Sequence, residues 1–557
     1  MSFTTTRRAL LRLSLAAGAA SLTLLAACGS SGDETPAPGT SRPDETPSTT
    51  TRFTLALSTP RVLVQQGQSV TLTATVTRAT GFDGAVEVAL NGLPAGVTAS
   101  PVTIAAAATS APVTLTAQAA APHSLPTAST AVGTSGSETA QQPLTVTVRG
   151  PAGSLDTSFA TAGIANTAIG TGEDYAEAMV VQPDGRIVVV GSTATLQGTD
   201  ITLVRYQRDG ALDTTFGNGG KVVTPVGAGS DEAYAVTLQA DGKILVAGGS
   251  VQATSGIDFA LLRYNADGSL DTSFGNGGKV VTAFGNATDR AQAIALQSDG
   301  KIVVGGSTSQ TLSGTDFALA RYNADGSLDT TFGNGGKVIT ALRSGTAGDA
   351  IYALALQRIA NVEHIVAVGG DGNFLAARYT PAGTLDPSFG TGGIVTALFN
   401  SVGGAARGVV VTPDNKLVLA GQIDNDHALV RLSENGVLDG GFGVGGRVIT
   451  AVTSTNWDGA QGVVRQADGK LVTGGWLNPN PGSSSDFAVL RYSADGVLDA
   501  SFGNGGIVTT PVAPTTKTDS ARAIALQADE RVPTVRILLA GSANDANNNF
   551  AVTRYWP

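Results

Sequence analysis

An arginine and an aspartate recur together seven times along this 557-residue chain, and a carboxylate held beside a cation can bind an ion, polarise a bond or steer a proton. The arginines, Arg205, Arg263, Arg321, Arg378, Arg431, Arg491 and Arg554, each close a run with strand-like patterning. The aspartates, Asp156, Asp213, Asp271, Asp329, Asp386, Asp439 and Asp499, each follow a leucine. Seven catalytic pairs would require seven identical active sites in one molecule. Seven ion pairs or capping contacts require only that one corner of a unit be repeated, so all fourteen residues are assigned to structure.

Other chemistry-bearing patterns thin out on inspection. The turn Asn265-Ala266-Asp267-Gly268-Ser269-Leu270-Asp271 shares the Asn-x-Asp-Gly-x-x-Asp core of calcium loops, whose alternate oxygens suit a hard cation. Two residues before Asn265, where such a loop needs an acid, stands Arg263, and the copies at Glu434-Asn435-Gly436 and Pro381-Ala382-Gly383 lose further oxygens. The expectation is a plain turn and no cofactor, with calcium on Asn265, Asp267 and Asp271 as the alternative. Residues 274–278 are glycine-rich but lead into a strand, so they lack the helix N-terminus of a phosphate cradle. His364 and His427 stand apart as surface residues, no nucleophile recurs beside a base, and an enzyme is not expected. Cys28 is the sole cysteine, which rules out an intramolecular disulfide and a cysteine-based zinc set.

The elements that position these residues follow from the period. Three residues after each aspartate comes a phenylalanine: Phe159, Phe216, Phe274, Phe332, Phe389, Phe442 and Phe502, spaced 53 to 60 residues apart. The third copy reads as four strands, at 278–282, 291–297, 301–307 and 316–322, with a tight hairpin at Asp299-Gly300. Radially arranged four-stranded antiparallel units make a β-propeller. The run from Asn323 through Asp325, Gly326, Leu328, Asp329 and Phe332 to Val338 resembles the bacterial delta-60 tandem repeat, and the resemblance extends over residues 153–557. It implies a propeller but no established reaction or ligand. Alanine-rich strands at Ala233 and Ala235, at Ala291, Ala293 and Ala295, and at Ala521, Ala523 and Ala525 are placed innermost, where strands crowd the axis. An orphan outer strand at 163–169 then pairs with the last strand at 550–555, and seven blades result.

Before the repeats, residues 53–149 alternate apolar with polar side chains in short runs, the mark of a small β-sandwich. The segment Gly92-Leu93-Pro94-Ala95-Gly96-Val97-Thr98 resembles one common in bacterial immunoglobulin-like modules, which implies a spacer role. Residues 118–142, containing His123, read as a long polar insertion. The fold class is therefore all-β: a seven-bladed propeller of four-stranded blades after an immunoglobulin-like sandwich.

The N-terminus is an address. Arg7, Arg8 and Arg12 precede an apolar run ending at Ala27, too short to span a bilayer comfortably, and Leu25-Ala26-Ala27-Cys28 resembles a lipobox. Residues 1–27 are predicted to be a signal peptide, Cys28 the lipidated residue, and residues 28–52, rich in Ser, Thr, Pro and Gly, a disordered tether. Resemblance to lipoprotein sorting favours the outer membrane where one exists, and residues 6–12 also resemble a twin-arginine signal. Formal net charge is −10, becoming −13 once the three N-terminal arginines are removed, and no basic cluster follows Arg12, which excludes nucleic acid.

Loops on the side of Asp299-Gly300 barely vary between copies, whereas those on the opposite side vary freely, and specificity belongs on variable loops. There Asp174, Asp231, Asp289, Asp349, Asp458 and Asp519 start the inner strands, either as turn chemistry or as an acidic rim attracting cations or a basic partner. Trp457 and Trp476 lie in two of these loops as anchors for sugar or protein. The expected function is a monomeric, lipid-anchored, non-catalytic scaffold that binds protein or polysaccharide at the cell envelope. An envelope spacer and a propeller-type hydrolase or lyase are the alternatives.

Overall fold

A computed structural model of the chain describes residues 52–285, 288–310, 314–342, 348–370, 372–396, 398–399, 403–452, 458–478, 484–513, 518–528, 535–544 and 547–557. Cys28, the tether and Trp457 lie outside the described residues. Every regular element among the described residues is a β-strand.

Alternation of side chains builds the first part. In Ser69–Arg78, Leu72, Ala74 and Val76 are buried while the threonines between them face water. One sheet orders Phe53–Leu57, Ser69–Arg78, Ser110–Ala117 and Val97–Ala99; a second orders Arg61–Gln65, Glu138–Arg149, Thr127–Ser135, Val86–Asn91 and Val102–Ile104. The two share apolar clusters that join Leu72 and Leu115 to Val62 and Val146, and Phe53 and Val76 to Val88 and Ile104, so they pack as a sandwich.

The polar insertion expected at 118–142 is instead largely a hairpin, Thr127–Ser135 with Glu138–Arg149. Its inward positions carry Ser129, Ala131 and Gly133, residues too small to give a hydrophobic signal. Size is the reason for Gly133: a Cβ there would lie 3.2 Å from the Phe53 ring. His123 is not a solvated loop residue either. Its Nδ1 accepts from the Thr157 amide at 3.1 Å, and its ring meets Trp556 edge-on at 5.7 Å, joining sandwich to repeats.

The repeats form seven four-stranded antiparallel sheets among the described residues, each running outward from its first strand. The first sheet comprises Asp174–Val181, Ile187–Thr195, Gly198–Tyr206 and Lys221–Thr224. The inner strands of the next five are Asp231–Leu238, Asp289–Leu296, Ile351–Ile359, Gly404–Val411 and Asp458–Arg465. The seventh runs Asp519–Ala528, Val535–Asn544, Asn548–Tyr555, and takes its outer strand, Ile164–Thr167, from the start of the repeat region. Each inner strand contacts the next, and the seventh contacts the first, so the sheets stand around an axis as a β-propeller.

Middle strands are apolar on both faces because each sheet is covered on both sides. Val188 and Val190 pack with Ile244 and Val246 of the second sheet, whereas Ile187 and Val189 pack with Leu538 and Val552 of the seventh. The core is thus a ring of apolar layers between sheets.

Closure depends on the chain's last strand. Ile164 pairs with Thr553 and Thr167 with Phe550, and Asp156 meets Arg554 at 3.0 Å. Deleting residues 548–557 removes both and exposes two sheet edges. The melting temperature followed by circular dichroism should fall by many degrees, or the protein should aggregate; an unchanged curve would show that this strand does not close the ring.

Candidate functional site

All seven arginines meet their aspartates. Six ion pairs, Arg205–Asp213 through Arg491–Asp499, span 2.7–2.9 Å, and Arg554–Asp156 completes the set across the chain ends at 3.0 Å. Each guanidinium also lies over the phenylalanine of its own repeat unit, 4.4–4.7 Å from the ring centroid. In six of the seven a further N–H reaches the following unit: Arg205 donates to the Ala266 carbonyl, Arg263 to Ala324, Arg321 to Pro381, Arg378 to Glu434, Arg431 to Ala494, and Arg554 to Arg208.

A second basic side chain beside each aspartate escapes the sequence reading. Arg186, Lys243, Lys301, His364, Lys416, Lys470 and Arg536 approach Asp213, Asp271, Asp329, Asp386, Asp439, Asp499 and Asp156 at 2.7–3.5 Å. His364 is therefore no isolated surface residue but takes the place of this basic side chain in the fourth sheet, its Nε2 3.5 Å from Asp386. Lys243 and Ser273 hold the Asp271 carboxyl well below the usual carboxylate range. A carboxylate so held stays ionised near neutrality, and its two ion pairs tie the corner together.

The same geometry bears on the calcium alternative. Asp271 is turned to Arg263 and Lys243, Asp267 accepts from the Ser269 amide at 2.9 Å, and Asn265 donates to Ser269 Oγ at 3.0 Å. The oxygens do not converge, and two cations occupy one of them, so this donor set does not fit a calcium ion.

The six inner-strand acids are not an exposed rim. Asp174, Asp231, Asp289, Asp349, Asp458 and Asp519 are each at most 1% exposed. Four of them accept from backbone amides of the incoming loop: Asp174 from Ile169 at 2.7 Å, Asp231 from Val226 at 2.6 Å, Asp289 from Phe284 at 2.7 Å and Asp519 from Val512 at 2.8 Å. They fasten each inner strand to the loop arriving from the previous sheet, the turn chemistry that sequence left as one of two readings. Trp476 lies half-buried on the strand Leu471–Leu477, opposite Gly459 and Phe487, rather than in a loop.

His427 is likewise buried rather than on the surface. Burial pushes its imidazole pKa down to about 4, and its Nε2 lies 3.9 Å from Asp458. Asp458 accepts from the His427 amide at 2.7 Å, and burial, reinforced by the charge of Asp426, lifts its carboxyl to about 7. Both side chains are at most 1% exposed.

What does face the axis is one residue per sheet that sequence reasoning passed over. Every inner strand carries a β-bulge at the same place, and the bulged residues are Glu177, Tyr234, Gln292, Tyr352, Arg407, Gln461 and Arg522. Glu177 and Arg522 approach to 3.8 Å. The Arg407 guanidinium lies 3.7 Å from the centroid of Tyr352. The signal was present as the variable residue between the repeated alanines.

Two cavities open beside this ring and share Tyr352 as a wall. One of about 410 Å³ is lined by residues including Arg290, Gln292, Ser307, Ser309 and Thr315. The other, about 370 Å³, is lined by residues including Arg407, Gln422, Asp424 and Asn425, with Gly370, Gly372, Gly403 and Gly404. A cavity of about 600 Å³ on the repeated-turn side is walled by residues including Thr215, Gly217, Asn218, Asp267 and Gly268; Gly268 recurs in every copy, whereas Asp267 gives way to Ala382 and Asn435 and Asn218 to Thr391 and Val444.

Locked corners, closed inner strands and an axial ring of polar side chains define a β-propeller repeat protein. The model described as "Domain of unknown function (DUF5122) beta-propeller" matches residues 182–216, 239–274, 297–332, 365–389, 412–442 and 466–502, and each match ends on the phenylalanine of the lock. No curated protein matches the chain. Among solved structures, a DUF4784 family protein from Bacteroides caccae is 9% identical, covering 68% of this chain and 93% of its own, at a TM-score of 0.24. Domains 4–9 of the surface layer protein SbsC are 12% identical, covering 90% of this chain and 82% of theirs, at a TM-score of 0.14.

The buried pair at His427 and Asp458 gives stability a signed pH dependence. Asp458, raised when folded, makes the native state bind the extra proton between about 4 and 7, so its contribution falls as pH rises through that window. His427, lowered when folded, leaves the unfolded state binding more protons between about 4 and 6.5, so its contribution rises there. Asp458→Asn keeps an oxygen for the His427 amide and removes the ionisation. Its melting temperature relative to the parent should increase steadily from pH 5 to pH 8; a difference independent of pH would mean that Asp458 is ionised throughout.

Proposed function

We propose that this chain is an exported lipoprotein, anchored through Cys28, that holds a seven-bladed β-propeller behind an immunoglobulin-like spacer as a non-catalytic binding scaffold at the cell envelope. It works as a monomer, and its ligand sits on the axial mouth opposite the repeated turns. One contrast carries this reading. On the turn side, arginine, aspartate and phenylalanine recur in all seven units and are consumed in holding them together. Around the axis the bulge position changes from Glu to Tyr to Gln to Arg, a chemically diverse set on a rigid frame. The recurrent acids are buried and the recurrent ion pairs are saturated, which favours recognition over turnover.

Anchorage and face are tested separately. Replacing Cys28 with Ser should move the protein from the membrane fraction to the soluble one, and continued membrane association would sink the tether. The mature chain, applied to arrays of envelope glycans and purified envelope proteins, should bind at least one of them and lose that binding on Tyr352→Ala but not on Asp299→Asn. The reverse pattern would place the working face on the turn side, and a blank array would leave a spacer.

A further inference from the structure

We propose that the axial mouth between the third, fourth and fifth sheets binds a carboxylate-bearing saccharide of the uronic acid type, with Tyr352 against a sugar ring and Arg290 and Arg407 each taking a carboxylate. This rests on the reading of the propeller as a binding scaffold and names what one part of it recognises.

The two arginines differ from every arginine of the corners. Those seven each have an aspartate within 3.0 Å. Arg407 has no carboxylate within salt-bridge distance among the described residues; it stacks on Tyr352, and burial lowers its pKa against the partial compensation of Tyr352 and the more distant Glu177. The one nearby bulge carboxylate, Glu177, is engaged with Arg522 of the seventh sheet. Arg290 likewise shows no carboxylate partner among the described residues, and its Nε is buried without a hydrogen-bond acceptor. A guanidinium left this way is set up for a planar anion that accepts two hydrogen bonds at once.

The rest of the lining selects the carrier of that anion. Around Arg290 stand the hydroxyls of Ser307, Ser309 and Thr315 and the buried carboxylate of Asp349; around Arg407 stand the side-chain amides of Gln422 and Asn425 and the rim carboxylate of Asp424. These donors and acceptors suit a polyhydroxylated ligand. Gly370, Gly372, Gly403 and Gly404 leave the backbone bare along the second cavity. Tyr352, shared by both cavities, is the one aromatic surface in their linings, and a single platform flanked by polar groups fits a pyranose ring. A protein partner would need an apolar centre to its contact, which these walls lack. Volumes of about 410 and 370 Å³ lie within the range of about 300–1,000 Å³ for small-ligand sites, and two arginines on either side of one tyrosine fit an oligomer rather than one sugar.

The test uses the mature chain, a galacturonate hexamer, the fully methyl-esterified hexamer and a hexaglutamate peptide in isothermal titration calorimetry. The hexamer should bind, and esterification should weaken it by about tenfold or more, the scale of losing charge-assisted hydrogen bonds. Arg407→Gln and Arg290→Gln should each weaken the hexamer by a similar factor while leaving the esterified form unchanged, with melting curves confirming that the variants fold. Asp299→Asn should change nothing. Equal binding of the ester, indifference to both arginine substitutions, or hexaglutamate binding as tightly as the hexamer would overturn the assignment, as would no binding of the hexamer at all. If the hexamer fails while another glycan or protein on the array is still held through the axial mouth, the scaffold reading stands without this ligand; if nothing is held, both fall.

Discussion

The structure depends on one corner made seven times. An arginine at the end of the third strand pairs with the aspartate eight residues on, as Arg321 does with Asp329, and lies over Phe332. It then hands a hydrogen bond to the Pro381 carbonyl of the next unit. The following turn presses back: Gly268 has φ +90°, and a Cβ there would come within 2.9 Å of the Phe216 ring of the preceding unit. Each phenylalanine is thus held between its own arginine and its neighbour's glycine. A buried ion pair alone is weak evidence of net stability, because desolvation offsets much of the attraction. Here the extra hydrogen bonds and the ring contact add to the pair, and the gain is register: the corner fixes the spacing of adjacent sheets.

Fixing one corner frees the other end. A second set of contacts ties sheets together further out, where Tyr264 bonds Thr224 and Tyr322 bonds Thr282 across neighbouring sheets at 2.9 Å. The buried acids at the strand starts hold the incoming loops by their backbone amides, while the Thr193 and Ser250 hydroxyls donate to Asp174 and Asp231 from the neighbouring strand, so the loops can change side chains without disturbing the frame. At the axis, the β-bulge does the same for a single residue per sheet. It turns one side chain out of the ladder toward the channel, so that Glu177, Tyr352 or Arg407 can be exchanged without altering the register of its strand.

What sequence made legible was whatever repeats by identity. The Leu-Asp and Phe positions, the strand order and the pairing of the first outer strand with the last could all be read because seven copies say the same thing. The second basic side chain escaped because its identity wanders among Arg, Lys and His while its place beside the aspartate does not, as Arg186, Lys301 and His364 show. The strand-start acids could be located but not their burial, since an aspartate facing a channel and one receiving Val226's amide look alike in a string of letters. The hairpin at Thr127–Ser135 was missed because its inward positions are small, Gly133 leaving room for the Phe53 ring, and alternation among small residues carries little hydrophobic contrast.

The axial residues were missed for the opposite reason. Repeat detection rewards positions that stay constant, and the alanines at Ala233, Ala235, Ala291 and Ala293 drew attention to the packing of the inner strand. The residues between them, Tyr234 and Gln292, are the ones a symmetric scaffold must vary if it is to recognise an asymmetric ligand. Seven equivalent positions filled alike would present a ligand with seven equal choices. Filling them with two arginines, a glutamate, two tyrosines and two glutamines breaks the rotational symmetry at the axis while the corners preserve it at the periphery. The division follows from geometry: the periphery has to hold neighbouring sheets in fixed register, and the axis is where a side chain from every sheet can reach the same small volume.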